Sequence, residues 1–166
     1  MGSSIYLFKR FFARIFAFVV VNKIKRSYCK APEIQRKTLK KLIEKAKNTS
    51  FGIDHNFDDI KNYKDFIDRV PVRDYEQIKK YIERIKKGEH DVLWPGKPKY
   101  LAKTSGTTSG VKQIPITNES MPNHILSARN ALLFYIYETQ KTTFLNGKTI
   151  FIPVSYTHLT LPTMDS

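Results

Sequence analysis

The sequence predicts a mixed α/β fold, an N-terminal helical layer backing the first strands of a sheet. Three observations lead there. Apolar stripes at helical spacing recur through the first half of the chain before any strand-like run. Two short apolar runs, residues 100–102 and 111–117, then flank a bend rich in glycine and hydroxyls. The 166 residues are 41% hydrophobic and 13% aromatic, which suits a folding segment rather than a disordered one.

Residues 5–21 are apolar and aromatic but carry Lys9, Arg10 and Arg14. Arg14 splits the run, no small-residue cleavage site follows, and 15–21 is too short to cross a bilayer. Myristoylation of Gly2 is disfavoured because Tyr6 stands where Ser or Thr is wanted. An amphipathic helix over residues 1–30 remains, expected to pack on other parts of the protein rather than lie on a membrane.

Pro32 opens a second helix over 33–47, where its missing N–H costs nothing. Ile34, Leu39, Leu42, Ile43 and Ala46 form its stripe, and residues 48–52 end it. A short helix over 62–70 is stopped by Pro71. Asp74 with Gln77 has the form of a capping box, Ile78, Tyr81, Ile82 and Ile85 share one face behind it, and Gly88 supplies a left-handed stop. Trp94-Pro95-Gly96-Lys97-Pro98 reads as a rigid turn feeding a strand. After the second strand, Thr117 or Asn118 caps a helix running through Ile125, Ala128, Leu132 and Tyr135. Gly147 leads into a strand over 148–152.

The bend is Thr104, Ser105, Gly106, Thr107, Thr108, Ser109 and Gly110. Its two glycines permit turned backbone, and its five hydroxyls and turned amides can converge on an anion. A nucleotide polyphosphate is the natural guest. A Walker loop would need Gly-Lys-Ser/Thr opening a helix. Here the next lysine is Lys112, and Val111, Ile114 and Ile116 continue as a strand. A plain Gly/Ser hairpin or linker fits the composition too, although apolar flanks are not what a flexible linker needs. Lys112 reads either as a point charge for phosphate or as a solvated edge-strand lysine.

Residues 100–117, "YLAKTSGTTSGVKQIPIT", resemble the phosphate-binding motif of the Gretchen Hagen (GH-three) auxin-responsive-promoter family, in its bacterial-type branch. The resemblance extends over about 30–152, through "KNTSFGIDHNF", "RVPVRDYEQIKKYIERIKKGE", "VLWPGKPKYLAK" and "NESMPNHILSARNAL". It implies an N-terminal fragment of an acyl-acid amido synthetase, with residues 31–152 beginning an acyl-adenylating-type large domain. Such an enzyme uses ATP and Mg2+ to adenylate a carboxylic acid, then passes the acyl group to an amino acid. Carried over, Thr104 and Ser105 touch the α-phosphate, and Gly106, Thr107, Thr108, Ser109 and Gly110 fold around the β- and γ-phosphates. The family's adenine, ribose and metal contacts and its catalytic lysine would lie beyond residue 152, so no catalytic residue or metal ligand is assigned. The 166-residue chain is expected to be inactive alone.

The formal charge of +14 raises nucleic acid or an anionic membrane as partners. Most of the excess precedes Asn48, where Glu33 and Glu44 are the acids, and no zinc-finger or RNA-binding signature accompanies it. It reads mainly as a solvated helical face, so neither partner is expected. The two alternatives in function are a basic nucleic-acid or membrane-surface binder and an adenylate-forming acyl-thioester ligase. Cys29 has no partner for a bridge or a metal, which fits a reducing cytoplasm.

His55, among Asp54, Asp58 and Asp59, reads as part of a hydrogen-bonded turn before it reads as a ligand. His124 reads as exposed, and Arg129 as pairing with Glu119 or solvent. Trp94, Phe134, Tyr135 and Tyr137 read as packing residues. Residues 154–163, "VSYTHLTLPT", resemble a transposon-end sequencing adapter read in frame, so 153–166 is expected to be an artefact tail and His158 carries no catalytic weight.

Overall fold

The computed structural model describes residues 2–104, 111–146 and 156–158. In chain order its elements are α1 (Gly2–Ser27), α2 (Ala31–Ala46), α3 (Ser50–Asp54), α4 (Tyr63–Arg69), α5 (Tyr75–Lys86), β1 (Tyr100–Thr104), β2 (Lys112–Ile116), α6 (Met121–Thr139) and β3 (Tyr156–His158). The expected mixed α/β arrangement is observed, mostly helix with one small sheet in the order β2-β1-β3. The strand expected at 148–152 lies outside the described residues. β3 falls within the stretch expected to be an artefact. It pairs with β1 through backbone groups, which are the same in any sequence, so the pairing does not bear on its origin.

The chain divides into two compact units. In the first, α1 packs on α6 around Ala17, Val21, Leu133 and Ile136, with Ala13, Val20, Phe134, Tyr137 and Phe144 around them. The Arg14 guanidinium donates to the Gln140 carbonyl at 2.7 and 3.1 Å, just past the end of α6 where unpaired carbonyls accumulate. Lys25 pairs with Glu138 at 3.0 Å and sits 4.2 Å from the Tyr137 ring centroid.

Neither helix is cleanly two-sided. On α1 the side turned away from α6 is also apolar, with Phe8, Phe11 and Phe12 exposed. On α6 the buried residues are Leu133 and Ile136, whereas Ile125, Leu132 and Tyr135 of the expected stripe are exposed. α6 is apolar on more than one side, so its periodicity does not select the face; contact with α1 does. Its start also differs. The helix begins at Met121 after a turn in which the Thr117 and Ser120 hydroxyls each accept the other's backbone N–H at 3.0 Å.

The second unit follows the local signals closely. Asp74 and Gln77 make both bonds of the capping box, at 2.9 and 3.0 Å. Asn62 caps α4 by accepting from the Asp65 amide, and Gly88 closes α5 at φ +88°. Gly96 takes φ +78° in the turn before β1, its amide held by the Asp91 carboxylate at 2.7 Å.

α3 was not anticipated. Thr49 creates it: its hydroxyl accepts from Gly52 N–H at 3.0 Å and donates to the Ala46 carbonyl at 2.7 Å, linking the end of α2 to the start of α3. The Ser50 and Phe51 amides, unpaired within α3, donate to the Asp91 and Val92 carbonyls at 2.8 and 2.9 Å.

Two apolar clusters fill this unit. Ile43, Ala46, Phe57 and Ile60 form one beneath α2; Tyr81, Ile85, Val92 and Leu101 form the other, between α5 and β1. Phe51 packs against both. Its ring meets Tyr81 and Phe57 edge-on, at centroid distances of 5.3 and 5.9 Å, and stacks on His55 at 4.0 Å.

A methyl group at Gly52 would sit 2.2 Å from the Ala46 carbonyl oxygen and 2.8 Å from that of Lys47, both backbone atoms. Gly52→Ala is therefore expected to destabilise by about 2–3 kcal/mol, the cost of overpacking a tight site, read from the urea midpoint. Tyr81 generates a second expectation. Burial first, then its hydrogen bond to Asp54 at 2.6 Å, push its phenol up to about 12. The unfolded phenol ionises near its usual value of about 10, so stability should be full below that pH and fall as pH rises toward about 12. Urea titrations across this window should show the alkaline loss in the parent and a shallower one in Tyr81→Phe.

Candidate functional site

β1 and β2 form an antiparallel hairpin with the register Tyr100↔Ile116, Leu101↔Pro115, Ala102↔Ile114, Lys103↔Gln113 and Thr104↔Lys112. The two strands expected on either side of the bend are observed. The seven residues 105–111 connect the strands. Leu101 anchors the hairpin by burying against Tyr81, Ile85 and Val92. Alternation then places Lys103 on the Leu101 side and Thr104, Ala102 and Lys112 on the other.

Thr104 is the last residue of β1, half-buried and directly opposite the half-buried Lys112. Ser105, Gly106, Thr107, Thr108, Ser109 and Gly110 lie outside the described residues. The loop is thus entered and left through a hydroxyl and an ammonium on one face. The next pair, Lys103 and Gln113, adds a second ammonium on the opposite face, and neither pair contains a carboxylate. That donor set suits an anion.

Tyr75 holds the outgoing strand. Its hydroxyl accepts from the Gln113 N–H at 2.9 Å and donates to the Gln113 carbonyl at 3.5 Å. Both groups therefore point away from β1, along the open edge of a three-stranded sheet. Pro115, two residues on, presents the same edge, so its missing N–H removes no ladder bond. The Lys112 ammonium lies 5.8 Å from the Tyr75 ring centroid. Sequence reasoning missed Tyr75 because its partner is 38 positions away. Its place at the first position of α5, just after the Asp74 cap, marks only a helix start.

Glu119 fixes the chain as it leaves β2. It pairs with Lys45 of α2 and accepts from the Trp94 indole N–H at 3.2 Å. The Lys45 ammonium above all, with the indole N–H, holds its carboxyl below the usual carboxylate range. Arg129 is exposed, in keeping with the solvent alternative. It bonds Asn130 at 3.0 Å and lies 5.8 Å from the Phe16 centroid. His124 is exposed.

His55 is buried at the end of α3, bonded to the Phe51 carbonyl at 2.6 Å through Nδ1 and to the Arg73 guanidinium through Nε2. A carbonyl only accepts and a guanidinium only donates, so in this arrangement Nδ1 is the donor and Nε2 the acceptor. One nitrogen serves the local turn and the other the more distant Arg73. Among the described residues no group of three or more His, Cys, Asp or Glu is placed to hold a metal ion.

The described residues thus make a mixed α/β fold in which a two-stranded hairpin, packed on α5, carries the hydroxyl-and-glycine stretch between its strands. The profile of the GH3 family N-terminal domain matches residues 20–157, and the chain belongs to that family. It is also similar to the indole-3-acetic acid-amido synthetase GH3.15 of Arabidopsis thaliana, 31% identical over 135 aligned positions. That alignment covers 69% of this chain and 22% of the relative, so the chain spans about a fifth of that protein's length.

Removing the hydroxyl that satisfies Gln113 tests the role of Tyr75. Tyr75→Phe should lower stability by about 1–2 kcal/mol, the usual cost of stranding a buried polar group. Amide exchange at Gln113 should quicken while exchange within α2 and α3 stays near the parent rates.

Proposed function

We propose that the protein is an ATP-dependent acid–amino acid ligase, and that the hairpin and its loop hold the nucleotide's phosphates. The observation that carries this reading is the closing pair of the hairpin. Thr104 and Lys112 stand side by side at the two ends of a loop of hydroxyls and glycines, in a family that includes an amido synthetase.

The chain's own groups have a plain task in such a reaction. A loop of hydroxyls and backbone amides stabilises spread negative charge without donating a proton outright. Thr104 and Ser105 are assigned to the α-phosphate, and Gly106, Thr107, Thr108, Ser109 and Gly110 to the β- and γ-phosphates. Lys112, steadied over the Tyr75 ring, adds positive charge beside them. Anchoring through Leu101 and Tyr75 keeps the donors in place, and catalysis of adenylyl transfer depends chiefly on such positioning. ATP with Mg2+ would supply the adenylyl group that activates a carboxylic acid for attack by an amino acid's amine.

Thr104→Ala combined with Ser105→Ala in the full-length protein should weaken ATP binding by at least about tenfold, since each lost hydrogen bond to a charged oxygen is worth about 1.5–3 kcal/mol. Isothermal titration reads this directly. Unchanged ATP affinity would remove the phosphate role from the loop, and trapping of acyl groups by thiols but not by amino acids would turn the assignment to a thioester-forming ligase.

A further inference from the structure

Helical geometry gives α1 two faces. Ala13, Ala17 and Val21 turn toward α6, where Ala17 and Val21 are fully buried. About a third of the circumference, on the opposite side, carries Phe8, Phe11, Phe12, Ile15 and Val19. Phe8, Phe11 and Phe12 each expose 60–61% of their surface. An apolar surface this continuous marks a site of interaction rather than ordinary surface.

Every charge that α1 itself contributes is positive. On a helical projection Lys9 and Lys23 follow one margin of the apolar face; on the other, Arg14 and Lys25 are already bonded to the Gln140 carbonyl and the Glu138 carboxylate. α1 contains no Asp or Glu. The face also lies largely outside what the family shares, since the family match begins at residue 20 and Phe8 to Val19 precede it.

We propose that this face of α1 docks on an anionic lipid surface. The helix lies in the interface plane, its phenyl rings among the upper acyl carbons and the ammonium groups of Lys9 and Lys23 reaching the lipid phosphates. It rests on the bilayer and does not cross it, because no described helix is long and apolar enough to span. Charge decides between occupants. A second copy of the chain would bring the Lys9 and Lys23 margin against its like, with no acid on α1 to offset the repulsion there. An anionic bilayer offers apolar depth and negative charge along the whole face.

The test is vesicle co-sedimentation of the full-length protein. It should pellet with phosphatidylcholine vesicles containing phosphatidylglycerol and stay in solution with phosphatidylcholine alone, and binding should weaken as salt rises. Phe8→Ser with Phe12→Ser should reduce binding at least tenfold, and Lys9→Gln with Lys23→Gln should reduce it and flatten the salt dependence. These side chains are exposed, so matching thermal melts will show that the variants remain folded. The proposal is overturned if the protein binds neither vesicle, if it binds both equally, or if the phenylalanine variant binds as the parent does. A dimer that dissociates on Phe8→Ser with Phe12→Ser, without vesicle binding, would also overturn it and assign the face to a second copy.

Discussion

The second unit depends on the way Phe51 joins two apolar clusters. One cluster lies under α2 and the other between α5 and the hairpin, and Phe51 packs on both. Its position is set by backbone rather than by its own side chain. Its amide and that of Ser50 are spent on the carbonyls of Val92 and Asp91, and Thr49 ties the start of α3 to the end of α2. The closeness of Gly52 to the Ala46 carbonyl makes that fit possible. From Phe51 the chain of contacts runs through Tyr81 to Leu101, and so to the strand that carries the loop. The rigidity of the hairpin is therefore inherited from a junction between two helices well before it in sequence.

An edge strand is the vulnerable part of a small sheet, since its outward N–H and C=O groups invite another chain to pair. β2 answers this twice. Tyr75 occupies the outward groups of Gln113 with one hydroxyl, and Pro115 offers no N–H on the same edge. The same tyrosine carries the Lys112 ammonium over its ring, so one side chain both protects the edge and steadies a cation at the mouth of the loop. A phenylalanine would keep the second role and lose the first.

Local signals were legible where the physics is local. The Asp74–Gln77 box, the Asn62 cap, the turns at Gly88 and Gly96 and the two strands flanking the bend each follow from residues within a few positions of one another. The loop residues and their family resemblance were legible for the same reason, although of the assigned set only Thr104 lies among the described residues. What failed was choice of face and of partner. α6 has apolar residues on several sides, and its buried pair, Leu133 and Ile136, is selected by α1, more than a hundred positions away. Glu119 finds Lys45 and Trp94, 74 and 25 positions away, for an equally non-local reason. α3 escaped notice because five residues containing a glycine have no helical period; only the Thr49 cap and two distant carbonyls make them a helix.

The net charge of +14 divides between settings with different consequences. Along α2 and α5 many lysines and arginines have acidic neighbours, as in Lys37–Glu33, Lys47–Glu44 and Arg84–Glu89, and exposed pairs of this kind contribute little individually. At the hairpin the imbalance is local, with Lys103 and Lys112 flanking a loop whose ends carry no acid. Lys103 shares the face of the buried Leu101, whereas Lys112 stands on the other face beside the Tyr75 ring. The two lysines of the hairpin are thus a concentrated and unopposed pair of charges at its end, whereas the larger excess is spread over helices that also carry acids.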